Sequence, residues 1–317
     1  MRYLVTGGAG FLGSALVRRL TADGHAVTVL DDESRGDWTR LRGLDCERFA
    51  GDVRDYESVD AAMENCDSVI HMAMVQGTQN FTENPSLTMD VAVRGTLNVL
   101  DACEAYGIQD FMLISSSEVY QGERDRVPTE ESVWRSVPDV LNPRFAYGGG
   151  KIAMELMCIH RGIFDRLIVA LPHNIYGPDA GHEHIIPQFC DRMKNVRPSQ
   201  AIAGPFDQFP ILGTGQETRA YCYIDDCVGA LALLLDKAPQ GTSLWHVGNP
   251  DERNATEVAH AVAKAYDRKI TVVPGELPKG SPPRRCPDIT KLRSLGYEPK
   301  VSFEDGIART AVWYANH

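Results

Sequence analysis

Residues 2–13, Arg-Tyr-Leu-Val-Thr-Gly-Gly-Ala-Gly-Phe-Leu-Gly, limit the folds open to this chain more than any other stretch. Residues 3–5 are a short apolar run of the kind a buried strand needs. Glycines at 7, 8, 10 and 13 then make a turn, and residues 11–20 carry helical periodicity. Strand, glycine turn and helix in that order form a phosphate cradle. Glycine lets the backbone approach a pyrophosphate, and the helix N-terminus offers free N–H groups and the positive end of a dipole. The predicted contacts are Gly7, Gly10, Phe11, Leu12 and Gly13. Alone, such a turn is as often only a turn, and residues further along the chain decide between the two readings.

A second apolar run, residues 26–30, ends at Asp31-Asp32, with Asp31 18 residues after Gly13. A carboxylate there accepts hydrogen bonds from adenosine ribose hydroxyls and repels a 2′-phosphate. Asp31 and Asp32 therefore predict NAD over NADP, with Arg35 the nearby charge that pulls the other way. Strand-like runs at 47–50, 68–72, 111–114 and 167–171 alternate with helical patterns at 56–63, 86–106 and 144–161. In the longest of these, Leu87, Val91, Leu97, Leu100 and Ala105 fall near one face. The alternation predicts an α/β fold, a doubly wound parallel sheet. Beyond residue 172 prolines punctuate shorter elements, with helices expected at 223–236 and 254–267. Residues 1–172 are read as an NAD-binding domain. Residues 173–317 are read as mainly a smaller substrate lobe, with some elements returning to the core.

A net charge of −11 argues against a nucleic-acid surface but leaves room for small anions, which need only a few local donors. The 8 cysteines are scattered, without a C-x-x-C pair or zinc-like spacing, so no metal site is expected and they read as reduced core thiols. No apolar run approaches the ~20 residues of a membrane span, and a strand beginning at residue 2 leaves no room for a signal peptide. The expectation is a cytoplasmic protein with no membrane partner.

Tyr147-Gly-Gly-Gly-Lys151 is the second informative stretch. On a helix, positions i and i+4 share a face. An ammonium beside a phenol stabilises phenolate. Bringing a tyrosine from ~10 toward neutrality needs about 3 units, roughly 4 kcal/mol. Lys151 together with a positive nicotinamide ring is expected to supply it. Such a tyrosine serves as general base on an alcohol. The three intervening glycines are poor helix formers, which predicts a helix start or close approach by a ligand.

Taken together the motifs resemble the extended short-chain dehydrogenase/reductase family, the NAD-dependent nucleotide-sugar epimerases and dehydratases. They are Thr6-Gly-Gly-Ala-Gly-Phe-Leu-Gly13, Leu30-Asp31, Gly51-Asp52-Val53, His71-Met-Ala73, Ser115-Ser-Ser-Glu-Val-Tyr120, Tyr147-x-x-x-Lys151, His173-Asn-Ile-Tyr-Gly-Pro178, the Gly213 to Asp225 segment around Arg219, and Arg284-Arg-x-Pro-Asp-Ile-Thr-Lys291. The resemblance implies a Rossmann fold with bound NAD and a nucleotide-diphosphate sugar as substrate. It implies that Asp52 and Val53 hold the adenine and that Ala73 lines the pyrophosphate path. Ser116 would bond the sugar hydroxyl being oxidised, and Asn174 the diphosphate. Arg219, with Lys279 or Arg285, would meet the diphosphate or ribose. Ser117 stands where hexose 4,6-dehydratases often carry an acid. His182, Glu183 and His184 either contact sugar hydroxyls or form a polar loop.

Glu118 matches the acid/base carboxylate of the family's dehydratases and decarboxylases, a position usually small in plain 4-epimerases. The Arg common in decarboxylases after the Asn-x-x-Gly-Pro stretch has no counterpart in 179–187. Two further departures are Ala92, where Asn is usual, and Gly150, where Ser is usual. The implied activity is first a 4-epimerase using Ser116, Tyr147 and Lys151. A dehydratase using Glu118 comes next, then a uronate decarboxylase. A non-catalytic NAD-binding protein is the remote alternative. The resemblance also implies a homodimer, with Met154, Leu156, Met157 and Leu97 at the seam or merely in the core.

Overall fold

In a computed structural model, which describes residues 1–121, 127–199, 206–277 and 280–317, strands and helices alternate from the start. They run β1 (Arg2–Thr6), α1 (Phe11–Ala22), β2 (Ala26–Asp31), β3 (Glu47–Ala50), α2 (Tyr56–Met63), β4 (Ser68–His71), α3 (Thr78–Glu83), α4 (Pro85–Asp90), α5 (Thr96–Tyr106), β5 (Asp110–Ile114), α6 (Ala146–Arg161) and β6 (Arg166–Pro172). The remainder comprises β7 (Ile175–Tyr176), α7 (Ile185–Met193), β8 (Asp207–Pro210), β9 (Thr218–Ala220), β10 (Cys222–Tyr223), α8 (Ile224–Lys237), β11 (Gly241–Val247), β12 (Glu252–Asn254), α9 (Ala255–Ala265), β13 (Ile270–Val273), β14 (Arg284–Arg285), α10 (Thr290–Arg293) and α11 (Phe303–Asn316).

One seven-stranded sheet has the order β11-β6-β5-β4-β1-β2-β3, parallel throughout. Its inner strands are apolar because helices cover both faces, whereas the edge strand β3 is largely exposed. Successive side chains point to opposite faces, so Val5, Val29, Ile70 and Met112 join one core and Leu4, Leu30, Val69 and Leu113 the other. From β1 the chain proceeds outward to β2 and β3, then returns to β4 on the other side. That reversal opens a crevice at the carboxyl ends of β1 and β4, where open α/β sheets bind ligands. Outside the sheet, β9 lies between β12 and β14, and β7 pairs with β10.

The segment from Pro85 to Tyr106 is helical but not uniformly so. A π turn at Val91–Gly95 joins α4 to α5. The wider turn shifts the phase of the residues after it. The buried side is Thr88, Ala92, Thr96, Val99 and Cys103, while Leu87, Leu97 and Ala105 stand exposed. This corrects the face expected from a uniform 3.6-residue period.

Candidate active site

The glycine turn is packed to the point where side chains are excluded. Gly7 has φ +71, in the left-handed region, and a Cβ there would lie 2.9 Å from the Ala73 backbone. A Cβ on Gly13 would lie 2.2 Å from the Gly7 carbonyl oxygen. Gly10 caps α1 without a side-chain bond, so the first N–H groups of α1 remain available to a ligand. Phe11 and Leu12, half-buried, open the helix. Thr6 Oγ1 accepts the N–H of Met72 and of Ala73 and bonds His71 Nδ1 at 2.7 Å, which ties the ends of β1 and β4.

Asp31 is buried and accepts one N–H on each oxygen, from Ala9 and Glu33, both at 2.9 Å. Burial pushes its carboxyl above the usual range. Each oxygen keeps lone-pair capacity for a hydroxyl. Asp32 differs from the expectation that paired them: it is exposed, and its carboxylate accepts from Ser34 in a surface turn. Asp52 is bound by Arg54, which reaches on to Asp90. Burial raises the Asp52 carboxyl, but Arg54 outweighs that and holds it low. Val53 is buried in the core, against Gly95. The glycine cradle, a carboxylate at the ribose position and a tyrosine–lysine helix fit a dinucleotide.

Tyr147 and Lys151 sit in the first turns of α6, both buried. Gln76 Nε2 donates to the Tyr147 phenol oxygen at 2.8 Å, and the Ser116 hydroxyl also bonds it. Lys151 Nζ donates to the Ile114 carbonyl at 2.7 Å and lies 5.9 Å from the centre of the Tyr147 ring. Lys151 thus bonds the backbone while standing beside the Tyr147 ring. Burial pushes Tyr147 up to about 12, and the Gln76 and Ser116 bonds lower it by less. Lys151 itself is pushed down to about 7 by burial.

The glycines between them meet protein, not an open ligand face. A Cβ on Gly148 would lie 2.7 Å from the Glu118 carbonyl oxygen, and one on Gly150 would lie 2.9 Å from Ala92 Cβ. The two departures from the family pattern, Ala92 and Gly150, thus pack on each other.

Glu118 receives Arg285 Nη1 at 2.6 Å. Burial would raise its carboxyl, but Arg285, with Arg144 and Arg219 behind it, holds it below the usual range. Arg219 and Arg285 are register partners in β9 and β14. The Arg219 guanidinium donates to the carbonyls of Thr218 and Pro282, and burial lowers it to about 10. Asn174, at φ +44, donates its amide to the Ala220 carbonyl. Ser117 is buried in the turn below Glu118. His184 caps α7, and burial lowers its pKa. Its neighbours in the loop are engaged: His182 bonds Asp191 and Glu183 pairs with Arg35. Lys279 lies outside the described residues.

Gln76, Arg144 and the Arg35–Glu183 pair are additions to the expected site. Arg144 had one local signal, its position three before Tyr147; Gln76 had none. Among the described residues no three His, Cys, Asp or Glu gather as a metal site would require, and no helix is long and apolar enough to cross a membrane.

A family model described as the NAD dependent epimerase/dehydratase family matches residues 3–248. Similar proteins include UDP-glucuronic acid decarboxylase 1 of Xenopus tropicalis, 31% identical across 99% of this chain and 72% of that one. A UDP-glucose 4-epimerase structure from Thermotoga maritima, with UDP-glucose, superposes with TM-score 0.87 at 26% identity, covering 100% and 99% of the two chains. A dTDP-glucose 4,6-dehydratase from Streptomyces venezuelae, solved with NAD, gives 0.86 at 27% identity, covering 100% and 97%.

Proposed function

The chain belongs to the NAD-dependent epimerase/dehydratase family, and from that premise we propose that it is a nucleotide-sugar 4-epimerase. Its cofactor is NAD. When bound, NAD supplies a hydride acceptor that later returns the hydride to the same sugar carbon. Gly7, Gly10, Gly13 and the start of α1 would hold its diphosphate, Asp31 its adenosine ribose, and Lys151 the nicotinamide end. Tyr147 takes the proton of the C4 hydroxyl and later gives it back. Ser116, bonded to the phenol, orients that hydroxyl. Arg219 and Arg285 face the nucleotide diphosphate, a dianion that charge-assisted donors suit.

The observation that carries this reading is the pairing of Glu118 with Arg285. A carboxylate held ionised by Arg285 has no proton to give to a leaving hydroxyl, so in a dehydratase Glu118 could serve only as the base on the neighbouring carbon, and Ser117 beside it is no carboxylic acid; the missing acid is what weighs against the dehydratase alternative. The Ser116–Tyr147 dyad remains, and it suffices for reversible oxidation at C4. A second reading, uronate decarboxylation, is favoured by the excess of positive charge, since three arginines surround one carboxylate. The same proposal takes the working form to be a pair of chains in the cytoplasm, joined through α5 and α6.

Incubation with a panel of UDP-, GDP-, ADP-, CDP- and dTDP-sugars and their uronates, read by mass spectrometry and NMR, tests it. Epimerisation inverts C4 with no change of mass, and Tyr147→Phe abolishes it while leaving sugar-nucleotide binding intact. Loss of water or of carbon dioxide, or near-normal turnover in the Phe variant, would overturn it.

A further inference from the structure

We propose that Gln76 belongs to the proton-transfer centre, its side-chain amide donating to the Tyr147 oxygen that receives the substrate proton and steadying that oxygen while it carries charge. The assignment rests on the reading of Tyr147 as base. The geometry is direct: Nε2 stands 2.8 Å from the phenol oxygen, across 71 residues of sequence. Lys151, the side chain that a tyrosine–lysine helix would be expected to use, is turned to the Ile114 carbonyl. Among the described residues, the side chains of Ser116 and Gln76 both hydrogen-bond the phenol. Ser116 also accepts the N–H of Glu118. Gln76 is the one nothing else in the motif set anticipates.

Although Gln76 is exposed, its loop is held from both sides. Upstream, Thr6 Oγ1 binds the amides of Met72 and Ala73, and Met74 Cε would lie 3.2 Å from a Cβ on Gly150 of α6. Downstream, Asn80 Nδ2 donates to the Gln76 carbonyl at 2.8 Å. Gly77 comes next at φ +92, and a Cβ there would lie 3.1 Å from Arg35 Nη1 and 3.3 Å from Glu183 Cγ. Arg35 and Glu183 are joined by two bonds of 2.9 Å, so a clamp between the two parts of the chain closes over the residue next to Gln76.

The chemistry is that of a neutral amide. A donor that stays neutral favours the ionised form of the oxygen it touches and adds no proton equilibrium of its own. In the proposed step the sugar O–H bond breaks and its proton passes to the phenolate. The Gln76 N–H keeps its proton and only shortens its hydrogen bond when the oxygen is charged. Among the described residues, the charged groups near the phenol are Glu118, which opposes ionisation, and Lys151 on its own helix.

The test is a phenolate titration of the NAD-loaded, full-length protein by ultraviolet difference absorbance, with Tyr147→Phe as the subtracted reference. It requires no sugar, so its outcome is independent of the product analysis that decides between epimerase and lyase. Gln76→Leu should raise the Tyr147 midpoint by about one pH unit, a tenfold change in its ionisation constant. Gln76→Glu should raise it at least as far, because a carboxylate replaces a donor. It also serves if the leucine variant does not fold. An unmoved or lowered midpoint in a variant that still binds NAD would overturn the assignment.

Discussion

Lys151 is buried at the price of its charge. Burial places its pKa near 7, against ~10.4 in an unfolded chain. Between those values the unfolded chain holds a proton that the folded chain has released. Stability from this group therefore falls as pH drops from about 10 to 7, and the penalty is constant below that. Its size is on the order of 4–5 kcal/mol at pH 7. Lys151→Met removes the penalty but leaves the Ile114 carbonyl without its donor, a loss of about 1–3 kcal/mol. The variant should be inactive yet more stable than the parent at pH 7, by roughly 1–4 kcal/mol once both effects are combined. At pH 10 the advantage should vanish or reverse. Urea unfolding of both proteins at the two pH values checks this, and a variant destabilised at pH 7 would refute it.

At the scale of the element, α6 illustrates how a helix is shaped by what must lie against it. Its glycines are unequal. A Cβ on Gly149 would meet only Val137 Cγ2, at an ordinary 3.5 Å, so Gly149→Ala should gain up to about 1 kcal/mol of helix propensity. A Cβ on Gly148 would press on a backbone carbonyl, that of Glu118, which cannot rotate aside. Gly148→Ala should lose roughly 1–3 kcal/mol from overpacking and impair activity by shifting the turn that sets Ser116 against Tyr147. Denaturant midpoints for the two variants should move in opposite directions. The glycines were legible as an anomaly, but their cause was not, because the atoms that require them belong to other elements. What could be read locally was the glycine turn and the Tyr-Lys spacing, since each works within a few residues. The strand-end Asp31 was legible too, whereas its division of labour with Asp32 was not. The π turn defeated periodicity because one extra residue per turn leaves no mark in composition. Gln76 and the Arg35–Glu183 pair depend on contacts 71 and 148 residues apart, and no local pattern encodes them.

Across the whole molecule, the later half of the chain holds both walls of the cofactor crevice. Arg40 donates to the Ala9 carbonyl inside the glycine turn and is itself bound by Asp179, while Arg35 packs on Gly77 and is bound by Glu183. Outside that closure, apolar side chains stand exposed on two neighbouring helices. Leu97 of α5 is 39% exposed and Leu156 of α6 is 52% exposed, on helices that pack side by side, with Leu87 and Met89 close in sequence on α4. Met154, a candidate for the same surface, is fully buried and belongs to the core. Where exposed apolar side chains join into one patch, protein association is a common reason for it. If α5 and α6 of one chain face their copies across a two-fold axis, each leucine meets apolar surface on the partner, and an isologous contact of about 800 Å² per chain is within reach of the two helices. Sedimentation equilibrium should then return twice the 35.0 kDa of one chain. Leu97→Asp combined with Leu156→Asp, which buries charge in the contact but leaves the core untouched, should return the mass of a single chain with the fold and NAD binding retained. A parent protein that sediments as one chain at micromolar concentration would leave these leucines without this role.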